Sequence, residues 1–267
     1  MDAAAPLAKM RVLITRPAGR GETLAARLRA LGAEPLLRPT IAYAPPADPA
    51  ALDVALRRLE AGVYEWLLLT SAAAVEVVAE SLGDRAPHLA HRVSLKIGAV
   101  GRATAAACRA LLGAEPAALP ERFVGEALAE AMGDAAGRRV LLPNADIARP
   151  ALEERLRAAG ALVERVVAYR IVPAPADDLA ALLAAGGLDA LLFTSGSAAE
   201  SFVRQIGPDG LARARRLLVV CLGPVTAEAC RALGLEPAAV AAEAGEEALV
   251  EALIAAAAGG RGGAATP

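Results

Sequence analysis

Short apolar runs alternate with segments in which Ala and Leu recur at helical spacing among Arg and Glu, along most of the chain. Arg11-Val-Leu-Ile-Thr15 precedes a helical pattern over Glu22–Leu31. Trp66-Leu-Leu-Leu-Thr70 precedes one over Ala72–Leu82, and Leu95-Lys-Ile-Gly-Ala99 precedes one over Ala103–Leu112. Short, nearly continuous apolar runs suit strands buried on both faces, and the intervening helices supply the covers. The pattern predicts an α/β fold built on parallel sheets.

The pattern also repeats itself. Arg11-Val-Leu-Ile-Thr15 returns as Arg139-Val-Leu-Leu-Pro143, and Leu24–Ala33 returns as Leu152–Ala161, each 128 residues further on (11 to 139, 24 to 152). Leu68-Leu-Thr-Ser71 returns as Leu192-Phe-Thr-Ser195, Val100–Leu111 as Leu222–Leu233, and Gly125-Glu-Ala-Leu128 as Glu246-Glu-Ala-Leu249. The chain therefore reads as two tandem copies of one α/β unit, with the seam near Gly137. Two segments break the rhythm, Leu36–Pro45 and Val163–Pro173. Both are extended, rich in β-branched residues and closed by a proline. Each is longer than the usual strand of about 5–6 residues, which predicts strands that leave one sheet and cross to another.

Composition narrows the classes. The 267 residues suit two domains; 56% are apolar but only 3% aromatic, so the cores must be built from Ala, Leu and Val. A net charge of -2 gives no footprint for holding a nucleic-acid backbone. No apolar run approaches the roughly 20 residues of a membrane span. No secretory h-region precedes Arg11, so a cytoplasmic protein is expected. Cys108, Cys221 and Cys230 stand at no metal-ligand spacing and read as buried thiols.

Candidate chemistry lies at strand-to-helix turns. Thr70-Ser71-Ala72-Ala73 and Thr194-Ser195-Gly196-Ser197 place a hydroxyl and unpaired backbone N–H groups at the carboxyl edge of a strand, a setting suited to carboxylate or phosphate. Plain helix capping explains a single such turn equally well. Gly98-Ala-Val-Gly101-Arg-Ala-Thr104 and Gly223-Pro-Val-Thr226 open helices in the same way, with Thr104 and Thr226 in the first turn. The first resembles part of a dinucleotide fingerprint, but it lacks the third glycine and the acidic partner. No phosphate loop or Gly-x-Ser-x-Gly elbow occurs. His88 and His91 have no completing ligands and read as solvated residues. Tyr169 stands where the first copy has Ile41, either a phenol for proton transfer or a packed strand residue. Arg16, Arg102, Arg149 and Arg170 lie near strand ends, where a guanidinium can meet an anion, although for any single one a solvated surface role is the first expectation.

Val12-Leu-Ile-Thr-Arg-Pro17, Leu69-Thr-Ser-Ala-Ala-Ala-Val75, Ala99-Val-Gly-Arg-Ala-Thr104, Val167-Ala-Tyr-Arg170, Phe193-Thr-Ser-Gly-Ser-Ala198 and Leu222-Gly-Pro-Val-Thr226, in this order and spacing, resemble the uroporphyrinogen-III synthase family. The resemblance runs from Arg11 to about Leu253. It implies two flavodoxin-like parallel-sheet domains joined by a two-stranded ribbon: residues 1–38 with 172–267 in one, 42–168 in the other, and 39–41 with 169–171 as the ribbon. It implies a monomeric enzyme of tetrapyrrole biosynthesis, serving haem, sirohaem or cobalamin, that needs no cofactor or metal and meets neither nucleic acid nor membrane. The substrate would be hydroxymethylbilane, cyclised with loss of water to uroporphyrinogen III and with inversion of ring D. Tyr169 would assist the loss of water. Ser71, Ala72, Gly101, Thr104, Ser195, Gly196, Ser197, Thr226 and Arg16 would bind substrate. Where the family has a polar residue after Thr-Ser, this chain has Ala72-Ala73, so backbone contacts are expected there. The competing expectation is a non-catalytic two-lobed protein that senses or binds a small anion.

Overall fold

The computed structural model describes residues 5–91, 95–120, 125–243 and 245–261. The first copy of the repeat runs β1 (Arg11–Ile14), α1 (Glu22–Ala30), β2 (Glu34–Leu37), β3 (Ile41–Ala44), α2 (Pro49–Glu60), β4 (Trp66–Leu69), α3 (Ala72–Leu82), β5 (Lys96–Ala99), α4 (Arg102–Leu112) and α5 (Gly125–Ala131). The second runs β6 (Arg139–Ala145), α6 (Ala151–Ala158), β7 (Leu162–Pro173), α7 (Leu179–Ala185), β8 (Ala190–Phe193), α8 (Gly196–Ala214), β9 (Leu218–Cys221), α9 (Pro224–Ala232), β10 (Ala239–Val240) and α10 (Glu246–Arg261). The chain divides into two compact units, Met1–Ala42 with Val172–Pro267, and Tyr43–Ile171.

Each unit holds one sheet. The first has the order β10-β9-β8-β1-β2, the second β3-β7-β6-β4-β5. β1 pairs in parallel with both β2 and β8, and β6 pairs in parallel with both β7 and β4. Beyond β5 the isolated parallel bridge Gly98↔Ala118 occupies the place that Ala239↔Val220 takes beside β9. In terms of the repeat, both sheets therefore contain the flavodoxin order 2-1-3-4-5, and β3 adds an extra edge strand beside β7 in the second. Each sheet takes its first two strands from one copy and the rest from the other, so the two copies trade their opening βαβ.

The strands obey the burial their sequences predict. Trp66–Leu69 and Ala190–Phe193 are buried at every position. Along β1, Val12 and Ile14 pack with Leu24, Leu28, Leu249 and Leu253 on one face, while Leu13 joins Leu179, Phe193 and Phe202 on the other. In the second unit, Leu67, Leu69 and Leu141 face α2, α3 and α4, and Leu68, Val140 and Leu142 face α5 and α6. Alternate side chains of one strand thus serve two helical layers.

One expectation needs correction. The segment Leu36–Pro45 is not a single long strand but two: Leu36 and Leu37 end β2 in the first sheet, and β3 starts the second. Pro39 has no N–H for a ladder and interrupts the pairing, although Arg38 and Thr40 on either side still donate backbone N–H groups to Ile14 and Thr15 at 2.9 and 3.3 Å. Its counterpart stays whole as the 12-residue β7. The chain just outside both crossings is fastened inside the first unit. Ser201 donates to the Thr40 carbonyl at 2.6 Å, and the Gln205 amide donates to the carbonyls of Thr40 at 3.2 Å and Ala174 at 3.0 Å.

Candidate active site

In the second unit the carboxyl ends of β4 and β6 bring together residues far apart in sequence. Ser71 is extended and caps α3, accepting from the Ala74 N–H at 3.1 Å. Its hydroxyl lies 3.0 Å from that of Tyr169. Tyr169 reaches this position through an irregularity in β7: Asn144 is paired with Val167 but Ala145 with Tyr169, so Ala168 is the extra residue of a bulge. Ala168 and Tyr169 are consecutive buried residues, which a regular strand would place on opposite faces. The Tyr169 ring meets the Tyr43 ring edge-on with centroids 5.0 Å apart. Beside it, Thr70 donates to the Asn144 side-chain carbonyl at 3.0 Å. Asn144 and Tyr43 were not singled out by sequence; Asn144 stands where the first copy has Arg16, so the repeat carries no hint of it.

The first unit repeats the turn without the phenol. Ser195 caps α8, accepting from the Ala198 N–H at 3.3 Å, and its hydroxyl lies 3.1 Å from that of Ser197. A Cβ on Gly196 would stand 2.8 Å from Ala229 Cβ of α9, so the close approach of that helix calls for glycine. Ala72, the counterpart, opens α3 with no polar side chain, and its N–H is left for a ligand.

The third and fourth turns are uncapped. Gly101 and Gly223 precede α4 and α9 with φ of 85° and 83° and ψ of 157° and 166°, and neither helix has a side-chain cap. The N–H groups of Arg102 and Ala103 in α4, and of Val225 in α9, whose first residue Pro224 has none, are therefore available to an anion. Thr104 and Thr226 sit in these first turns. Among the described residues, the buried polar side chains are Thr15, Thr40, Thr104, Asn144, Ser201 and Thr226. Thr15 and Thr40 donate to the carbonyls of Leu192 and Ala198, Ser201 to that of Thr40, and Asn144 accepts from Thr70. The hydroxyls of Thr104 and Thr226 are engaged by no other described residue. Neither oxygen is among the fully buried polar atoms left without a partner, so each keeps access to the surface, where a ligand can meet it. The backbone at Gly223 belongs to a region that glycine alone occupies readily, and nothing stands within 4 Å of a Cβ built there. Gly223→Ala is therefore expected to cost about 1–3 kcal/mol through backbone strain alone, read as a lower urea midpoint at unchanged slope.

Arg16 is committed within the first unit: its guanidinium is ion-paired with Glu246 at the start of α10, and Arg27 holds Glu247 at 2.6 Å. Arg170 donates to the Pro45 carbonyl at 2.9 Å. His88 and His91 lie in a 3-10 segment, Gly83–His91, and the His91 side chain falls outside what is described. The three thiols are buried, with Cys221 and Cys230 sulfurs 3.5 Å apart. Burial pushes the Cys108 thiol up to about 12, which makes it a poor nucleophile. No helix of the described residues is long and apolar enough to cross a membrane.

Fold and turns together define a duplicated open-sheet α/β protein that presents hydroxyls and helix N-termini at the carboxyl ends of its strands, the place where such sheets receive ligands. The family model described as uroporphyrinogen-III synthase HemD matches residues 22–251. The chain belongs to the uroporphyrinogen-III synthase family. It is 32% identical over 236 residues to the uroporphyrinogen-III synthase of Synechococcus elongatus, covering 85% of this chain and 88% of that one. A crystal structure of a mutant uroporphyrinogen III synthase from the extremely thermophilic bacterium Thermus thermophilus superposes with a TM-score of 0.63 at 26% identity, covering 92% of this chain and 98% of that one. The Helicobacter pylori uroporphyrinogen-III synthetase shares the fold, with a TM-score of 0.55 at 17% identity over 92% of this chain and 99% of that one.

Proposed function

We infer that this chain is a uroporphyrinogen-III synthase, a cyclising lyase that converts hydroxymethylbilane to uroporphyrinogen III with loss of water. Family membership over residues 22–251 supports this reading against the non-catalytic anion binder. The observation that carries it to a site is the matched pair of unengaged hydroxyls, Thr104 and Thr226, at uncapped helix N-termini. A linear tetrapyrrole polycarboxylate offers many acceptors, and each unit offers N–H and O–H donors without a large positive field. This fits a chain whose net charge is only -2.

In this reading the Tyr169 hydroxyl gives its proton to the hydroxymethyl oxygen of the substrate, the C–O bond breaks, and water leaves an azafulvene. The freed carbon then bonds to the ring-D position that already bears a substituent, through a spiro intermediate. The proton lost as the last ring becomes aromatic restores the phenol. Ser71, at 3.0 Å, holds the phenol oxygen in place, while Ser195, Ser197, Gly101, Gly196, Ala72 and the two threonines orient carboxylates. Orientation matters because spontaneous closure uses the unsubstituted carbon instead. Arg16 contributes through Glu246 and the start of α10 rather than as a free cation. We read residues 39–41 and 169–171 as the ribbon between the domains, and the enzyme as monomeric and cytoplasmic. Supplying hydroxymethylbilane and separating the product isomers tests the activity. The type III isomer above the spontaneous rate is expected; only the type I isomer, at that rate, overturns the reading.

A further inference from the structure

The neighbouring strands β6 and β4 of the second sheet send the chain in opposite directions, β6 outward to β7 and β4 outward to β5. The crevice between their carboxyl ends is therefore the switch point at which an open α/β sheet receives its ligand. Asn144 of β6 and Thr70, the residue after β4, flank it. The register Trp66↔Val140 and Leu67↔Leu141, continued along both strands, sets the two opposite each other. Thr70 donates to the Asn144 side-chain carbonyl at 3.0 Å, which fixes the plane of the amide. With Asn144 only 4% exposed, the side chain has little freedom to turn.

The amide nitrogen of the same side chain is unspent. No described residue accepts from it, and it is not among the fully buried polar atoms left without a partner, so it keeps an opening to the surface. The bulge that carries Tyr169 to Ser71 begins at the next residue, because the register slips between Asn144 and Ala145. Donor and phenol thus share one edge of the sheet. The first unit treats the same position differently. There the counterpart of Asn144 is Arg16, and Glu246 opens α10 as Gly125 opens α5. Arg16 is ion-paired with Glu246, so that unit closes the position on itself. In the second unit Gly125 has no side chain with which to answer Asn144, and the donor is left over.

A held, nine-tenths buried side chain with an unspent donor at a switch point calls for an acceptor from outside the chain. We propose that Asn144 is a further substrate-binding residue, its amide nitrogen donating to a carboxylate of the pyrrole ring that lies against Tyr169. The inference rests on the synthase reading and adds a donor to it. A neutral amide suits the task, because a donor fixed in direction by Thr70 orients one carboxylate of a polycarboxylate instead of attracting all of them. Its part is binding and not proton transfer, so its loss should fall on KM more than on kcat.

Two variants remove the donor. Asn144→Asp keeps the shape of the side chain and an oxygen for Thr70 but sets a negative charge against the carboxylate, whereas Asn144→Ala removes the group without adding charge. KM for hydroxymethylbilane is expected to rise at least tenfold in the first and at least threefold in the second, with kcat changed by a smaller factor in each. Binding is also read without turnover, by titrating uroporphyrin III, a fluorescent tetrapyrrole with eight carboxylates, into the full chain. Both variants should bind it more weakly by the same factors. A folded Asn144→Ala with the parent's KM and affinity overturns the proposal, since a loss confined to Asn144→Asp is charge repulsion alone. Should Asn144→Ala fail to fold, Asn144→Leu, of nearly the same size, takes its place. A parent chain that binds uroporphyrin III but forms no type III isomer overturns the synthase reading, and the affinities of the variants then decide Asn144 by themselves.

Discussion

Replacing Tyr169 by Phe is expected to lower kcat for the type III product by about 10²–10⁴-fold, the range by which a positioned general acid assists a reaction. The substitution keeps the ring, so the edge-on packing against Tyr43 and the burial of the side chain persist. Only the hydroxyl beside Ser71 is lost, and deleting one such hydrogen bond costs about 0.5–1.5 kcal/mol of stability. A cut in turnover with an almost unchanged unfolding midpoint is therefore the expected signature. KM should move little, because in the proposed role the phenol acts on the leaving oxygen rather than on the carboxylates. Turnover equal to the parent enzyme would dismiss Tyr169 from the chemistry.

The largest stability effect is expected in the core of the first unit. The chain has only three Phe, and Phe193 and Phe202 meet edge-on in the first unit with centroids 5.4 Å apart, both fully buried. Phe193 comes from β8 and Phe202 from α8, so the pair pins the helix to its strand just after the Ser195 turn. Phe202→Ala removes the ring from a core that otherwise holds Phe193 and aliphatic side chains held in place by their own strands and helices, which leaves a cavity. A loss of about 3–5 kcal/mol is expected, a large share of the roughly 5–15 kcal/mol that holds a typical protein together. Urea denaturation measures it. A loss below about 1 kcal/mol would mean that the surrounding leucines collapse into the space.

Much of the chemistry was open to inspection in the chain. Thr104 and Thr226 could be found because glycine turns and hydroxyls recur at the same place in both copies, and Ser71 and Ser195 for the same reason. Their freedom or engagement could not be found: Thr15, Thr40 and Ser201 carry the same hydroxyl but spend it on carbonyls 158 to 177 residues away. Asn144 escaped notice because repeat matching rewards similarity, and it stands where the first copy has Arg16.

The sequence by itself determined the elements, their parallel arrangement and the duplication, because burial on two faces and helical spacing are local patterns written every few residues. Tertiary structure alone decided which copy supplies which strand of each sheet, since Pro39 only breaks a ladder and does not choose the next partner. It also decided that a one-residue bulge at Ala168 carries Tyr169 to Ser71 across 98 positions of chain. A bulge is settled by the packing of whole strands and helices around it, and no local pattern encodes that sum.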